Sequence, residues 1–199
     1  GDKCVMLLLA HSYYSLRYGT LSPERVVQIA KALGYTAVAL TDIETISGVY
    51  DFLKACRNEG IKPIIGIEVN IDGHRVSCIA KNLNGYKELN QALSARNIDQ
   101  VQLASTLKDV KDCFFIEPFE KDKKPSALPG IIPGYATGDI GYLRIHHNNI
   151  PQNAIAYLRL TFSDATGYEL HKHLRAIDNN LLLSRLTPDL LAEKQETCL

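Results

Sequence analysis

Strand-like and helix-like patterns alternate without interruption through the first half of the chain, and this alternation restricts the fold more than any other feature. CVMLLLAH (4–11) is an apolar run of strand length. LSPERVVQIAKALG (21–34) then carries Val26, Ile29, Ala30 and Leu33 at helical spacing, with Ser22 as N-cap, Pro23 at the first helical position and Gly34 past the end. YTAVALTD (35–42) reads as a second strand, and Val49, Phe52, Leu53 and Cys56 mark a second helix. EGIKPIIGIEVNI (59–71) turns into a third strand and RVSCIAKN (75–82) supplies a fourth. Asn84 is expected to open a helix carrying Leu89, Ala92 and Leu93. Such an order implies a largely parallel sheet or a barrel, with the working face at the C-terminal ends of the strands. His11, Asp42 and Glu68 stand at three such ends.

Beyond residue 96 the pattern is less regular. DCFFIEPF (112–119) reads as a strand, EKDKKPSALPGIIPG (120–134) as a polar loop punctuated by proline and glycine, and NAIAYLRLTF (153–162) as another strand. DATGYELHKHLRAIDNNLLL (164–183) reads as a helix with Tyr168, Leu170, Leu174 and Ile177 inward, and Thr187-Pro188 starts a last one.

Composition excludes several classes. Lys plus Arg and Asp plus Glu both number 22, so the zero formal charge argues against a segment that grips a nucleic-acid backbone by itself. Five cysteines, Cys4, Cys56, Cys78, Cys113 and Cys198, show no C-x-x-C pair and read as free thiols of a reducing, cytoplasmic compartment. No apolar run reaches the roughly 18–20 residues of a membrane span. GYATGDIG (134–141) has no lysine to meet a phosphate, and neither a Walker-type loop nor a G-x-S-x-G elbow occurs.

The histidines divide by spacing. Leu7, Leu9 and His11 share one face of the first strand. His171 and His173 fall on a helical pattern, where positions two apart point about 200° apart and cannot converge on a metal. His146 and His147 are neighbours in a polar stretch, an unfavourable chelating arrangement.

HSYYSLRYGTLSPERVVQIAKALGYTAVALTD (11–42), GVYDFLKACRNEGIKPIIGIEVNI (48–71) and IAKNLNGYKELNQALS (79–94) together resemble the start of the PHP (polymerase and histidinol phosphatase) domain of bacterial DNA polymerase III alpha subunits. The stretch 153–186 is similar to the end of that domain in a divergent branch of the family. The resemblance implies an α/β fold, a distorted TIM-like (β/α)7 barrel, with residues 1–199 as a single PHP domain at the N-terminus of a much larger polymerase chain. It also implies packing on the polymerase core of the same chain and docking of a separate proofreading exonuclease subunit. DNA would be reached only through the parent polymerase, whose Mg²⁺-binding aspartates would lie beyond residue 199.

Departures from the family pattern carry the functional expectation. Metal-binding members end the first strand H-x-H, where this chain has Leu9-Ala10-His11; the later Asp before glycine is Tyr18, and Asp-His-Gly becomes Asp42-Ile43-Glu44. The acidic residue of the third strand is retained as Glu68, and the late Asp-x-His aligns with Arg159-Leu160-Thr161. Leu9, His11, Tyr18, Asp42, Ile43 and Glu68 are therefore expected to line a vestigial pocket with no catalytic residue and no metal; His11 and Glu68 would be the ligands if any ion bound. Two such ligands do not fix a hydrolytic metal centre. Asp42 is expected to hold its loop, and Glu68 to pair with Arg75 or Lys62. The alternative is a phosphoesterase or 3′–5′ exonuclease using Zn²⁺ or Mn²⁺ at a reduced site completed by His74, His146 or His147.

Overall fold

A computed structural model describes residues 7–15, 21–99, 103–136, 139, 145, 150–151 and 153–160. Seven strands close into a barrel in chain order: β1 (Leu7–Ala10), β2 (Ala37–Ile43), β3 (Lys62–Ile71), β4 (His74–Ala80), β5 (Cys113–Pro118), β6 (Ile131–Ala136) and β7 (Ile155–Leu160). Helices α1 (Pro23–Ala32), α2 (Val49–Glu59), α3 (Leu83–Asp99) and α4 (Leu103–Leu107) are inserted between them. β7 returns to pair with β1 in parallel, which removes the open edges of the sheet.

Local chemistry sets the first crossovers. The Ser22 hydroxyl accepts from the Arg25 amide, Pro23 occupies the first turn, and Gly34 follows α1 with φ +79°, where an L side chain is disfavoured. α1 and α2 then lay Val26, Val27, Ala30 and Phe52 over Leu8, Ala10, Val38, Leu40, Leu158 and Leu160 on the outside of the barrel. A second outer layer packs Leu89, Ala92, Leu93, Leu103 and Leu107 on Ile67, Val69, Val76, Cys78 and Phe115. The alternate residues Leu9, Ala39, Ile79, Ile116 and Tyr157 fill the barrel interior.

The expected barrel is present, with three differences of detail. β4 runs antiparallel to both β3 and β5, because Asp72 (φ +52°) and Gly73 (φ +81°) turn β3 directly into a hairpin. α3 begins at Leu83, and the side chain of Asn82, not Asn84, accepts from the Gly85 amide as its cap. The stretch expected to be loop through Gly134 ends at Gly130, and Ile131–Ala136 forms β6 despite Pro133. Gly134 is required there, since a Cβ would lie 2.9 Å from an Ile116 methyl and 3.0 Å from the Tyr157 ring. The expected helices over 164–183 and from Thr187 lie outside the described residues.

Candidate functional site

His11 follows β1 directly, and its amide donates to the Leu160 carbonyl, 2.9 Å, extending the β1–β7 ladder by one rung. That rung sends its side chain inward with Leu7 and Leu9, and it is 1% exposed. There Nε2 lies 3.2 Å from Oε2 of Glu68, a residue of β3 that is itself 3% exposed. Two guanidinium groups meet the same carboxylate. Arg75, near the start of β4, donates from Nη2 to Oε2 at 3.0 Å, and Arg159 of β7 donates from Nη1 to Oε1. The Arg159 guanidinium also lies over the Tyr157 ring, 5.5 Å from its centroid, a cation–π contact that helps hold it inward.

The three partners decide the charge of Glu68. Burial pushes its carboxyl up, but contacts from His11, Arg159 and Arg75 outweigh that cost and hold it down at about 2. Glu68 is thus a paired anion, as expected from sequence, with Arg75 rather than Lys62 as one partner. Arg159 is the partner that the sequence does not signal.

The other pocket positions sort by strand parity. Leu9 pairs in register with Arg159 and packs in the apolar interior with Ala39, Ile79, Ile116 and Tyr157. Ile43 is the register partner of Glu68, so an apolar side chain stands beside the carboxylate. Asp42, one residue off, faces the loop after β1. It accepts from the Ser12 amide at 2.6 Å, the Ser12 hydroxyl at 2.7 Å and the Ser15 hydroxyl at 2.7 Å, while Ser15 accepts in turn from the Ile43 amide. Its role is to hold that loop. Tyr18 lies outside the described residues, as do Thr161, His146, His147, His171 and His173.

Glu44 keeps a left-handed backbone, φ +50°, at the position where the family pattern has glycine, and its carboxylate binds Arg96 of α3. His74 is drawn to the outer side of the sheet, where Nδ1 lies 2.7 Å from Glu117 and the Ser126 amide donates to the same carboxylate. Cys56, Cys78 and Cys113 are free buried thiols, and burial pushes Cys56 up to about 11 and Cys113 to about 12. Cys4 and Cys198 lie outside the described residues.

Among the described residues, no group of three or more His, Cys, Asp or Glu side chains is placed to hold a metal ion. The donors around His11 do not fit one either. Leu9 and Ile43 offer no lone pair, Glu68 is occupied by two guanidinium donors with the His11 imidazole beside it, and those guanidinium groups would repel a divalent cation brought to that carboxylate. Among the described residues, the arrangement binds charge internally, between one carboxylate and two guanidinium groups.

The model of the PHP domain family matches residues 8–173. The chain is similar to DNA polymerase III subunit alpha of Bacillus subtilis (strain 168), 36% identical over 89 residues, covering 41% of this chain and 8% of that protein. It is also similar to DNA polymerase III subunit alpha of Aquifex aeolicus (strain VF5), 29% identical over 204 residues, covering 78% of this chain and 16% of that protein. This chain therefore matches less than a fifth of the length of either relative. Among solved structures, an amidohydrolase from Chromobacterium violaceum aligns at TM-score 0.44 and 13% identity over 84% of this chain and 96% of that one. With the barrel and the family match together, the chain belongs to the PHP domain family.

Proposed function

We propose that this chain is the PHP domain of a replicative DNA polymerase of the DNA polymerase III alpha type, one that has exchanged its hydrolytic metal centre for an internal ion-pair cluster. The observation that carries this reading is the Arg159–Glu68 bond. A permanent guanidinium stands against the acidic residue that the chain keeps on the third strand of the family pattern, and it supplies the positive charge that an ion would otherwise bring. Residues 1–199 then act as one domain of a larger chain, packing on the polymerase core and docking the proofreading exonuclease subunit. Similarity to polymerase alpha subunits supports that context. In this reading the domain needs no cofactor, while Mg²⁺ serves the parent polymerase.

Purified protein incubated with Mn²⁺ or Zn²⁺ is assayed on p-nitrophenyl phosphate and on single-stranded DNA labelled at its 3′ end. The expected rate equals that of buffer alone. Turnover that disappears in His11→Ala would overturn the reading and favour a reduced-site phosphoesterase or exonuclease. The docking role is tested with purified exonuclease subunit, which is expected to co-elute with the chain; separate elution at micromolar concentrations of both would remove that role.

A further inference from the structure

The opposite end of the barrel, away from His11 and Glu68, holds a cavity of about 740 Å³. Its walls include Leu7, Ile64, Ile79, Ile116, Ile132 and Ile155, contributed by six strands. These side chains continue the apolar interior of the barrel, so the cavity is an extension of the core, open to one side among the described residues. Its size falls within the roughly 300–1,000 Å³ of small-molecule sites. Lys62 and Lys81 stand at its edge. Lys81 bonds the Lys111 carbonyl and lies over the Phe114 ring, and neither lysine is paired with a carboxylate among the described residues.

The geometry points to a binding site for a single-chain amphiphile with an anionic head, a long-chain fatty acid, whose tail enters the barrel floor and whose carboxylate meets Lys62 and Lys81. The lining favours a methylene chain over a polypeptide, because backbone N–H and C=O groups carried among these isoleucines would lose their water without gaining partners. The two ammonium groups favour an acid over a neutral lipid. Zero net charge gives no general attraction to an anionic bilayer, which favours the free amphiphile over a membrane surface.

The test titrates the 199-residue chain with palmitate labelled with ¹³C at the carboxyl carbon, followed by NMR below its aggregation concentration. One shifted carboxyl resonance, saturating at one equivalent, is expected. Ile132→Trp fills the cavity and is expected to abolish the bound resonance; Ile155→Phe serves if circular dichroism shows that the first variant does not fold. The Lys62→Glu/Lys81→Glu variant is expected to bind at least about tenfold more weakly. Hexadecanol, which lacks the charge and is read by its displacement of labelled palmitate, is expected to bind more weakly by at least the same factor. The proposal is overturned by the absence of a bound resonance, by binding that survives a folded cavity-filling variant, by equal affinity for hexadecanol, or by binding only to anionic vesicles.

Discussion

Arg159 reaches from β7 across the mouth of the barrel to bond Glu68 on β3, joining residues 91 positions apart. β1 and β2 separate the two strands in the sheet, so the bond ties the closing strand of the barrel to the buried carboxylate of β3. Removing the cation strands a buried anion. Arg159→Met is expected to cost about 2–4 kcal/mol in urea unfolding, below the usual loss for a fully buried pair because Arg75 and His11 remain. Adding Glu68→Gln to that variant is expected to recover part of the loss, since the uncompensated charge goes with it. Additive losses would show that the two side chains do not act together.

Acid should dissolve the same cluster. Glu68 is held at about 2 when folded against an ordinary value of 4.5, so the unfolded chain binds its proton first as pH falls. Its stabilisation is complete above about pH 4.5 and is lost as pH drops towards 2, with an upper bound of about 3 kcal/mol. Urea midpoints measured from pH 6 to pH 2 are expected to fall more steeply for the parent than for Glu68→Gln. Equal slopes would place the acid sensitivity elsewhere.

The first half of the fold is legible because its signals are local. Ser22, Pro23 and Gly34 bound α1 by their own hydrogen-bonding and backbone preferences. Asp72-Gly73 between two strand patterns is likewise a local hairpin signal, and it accounts for the reversed direction of β4. β6 is different. Ile131–Ala136 contains a proline and a glycine, and the need for Gly134 comes from Ile116 and Tyr157 on neighbouring strands. In the site, His11 and Asp42 are readable from their place at strand ends, and the parity of β2 turns Asp42 towards Ser12 and Ser15. Glu68, expected at the end of its strand, lies three residues before the end of β3 because the strand runs on into the hairpin. The part played by Arg159 is not readable, because only barrel closure brings IAYLRL within reach of residue 68.

Glu44 offers a test of backbone strain. Its φ of +50° favours glycine, whereas its bond to Arg96 is partly exposed and contributes less than about 1 kcal/mol. Glu44→Gly is expected to stay within about 1 kcal/mol of the parent, and Glu44→Ala to fall about 1 kcal/mol below Glu44→Gly. Thermal or urea unfolding checks the order. Alanine equal to glycine would mean that the backbone relaxes at this position.

Asp42 should matter for the loop after β1 and not for chemistry. Asp42→Ala removes three hydrogen bonds to a buried carboxylate and is expected to cost about 3 kcal/mol, with faster amide exchange at residues 12–15. Unchanged exchange there would contradict the assigned role.

Restoring one ligand should not restore a centre. Leu9→His places an imidazole on the strand face of His11, but Arg159 still occupies Glu68 and Ile43 still offers no ligand. No hydrolysis of p-nitrophenyl phosphate is expected with Mn²⁺ or Zn²⁺ present. Measurable turnover in this variant would show that the guanidinium yields to a metal.

Elemental analysis of the purified chain, before and after incubation with Mn²⁺ and Zn²⁺ and removal of excess ion, tests the central claim most directly. An arginine-filled site predicts less than about a tenth of an equivalent retained and a melting temperature unchanged by EDTA, since only a bound ion stabilises the folded state. Two or three tightly held ions per chain, with a melting temperature that EDTA lowers, would contradict it.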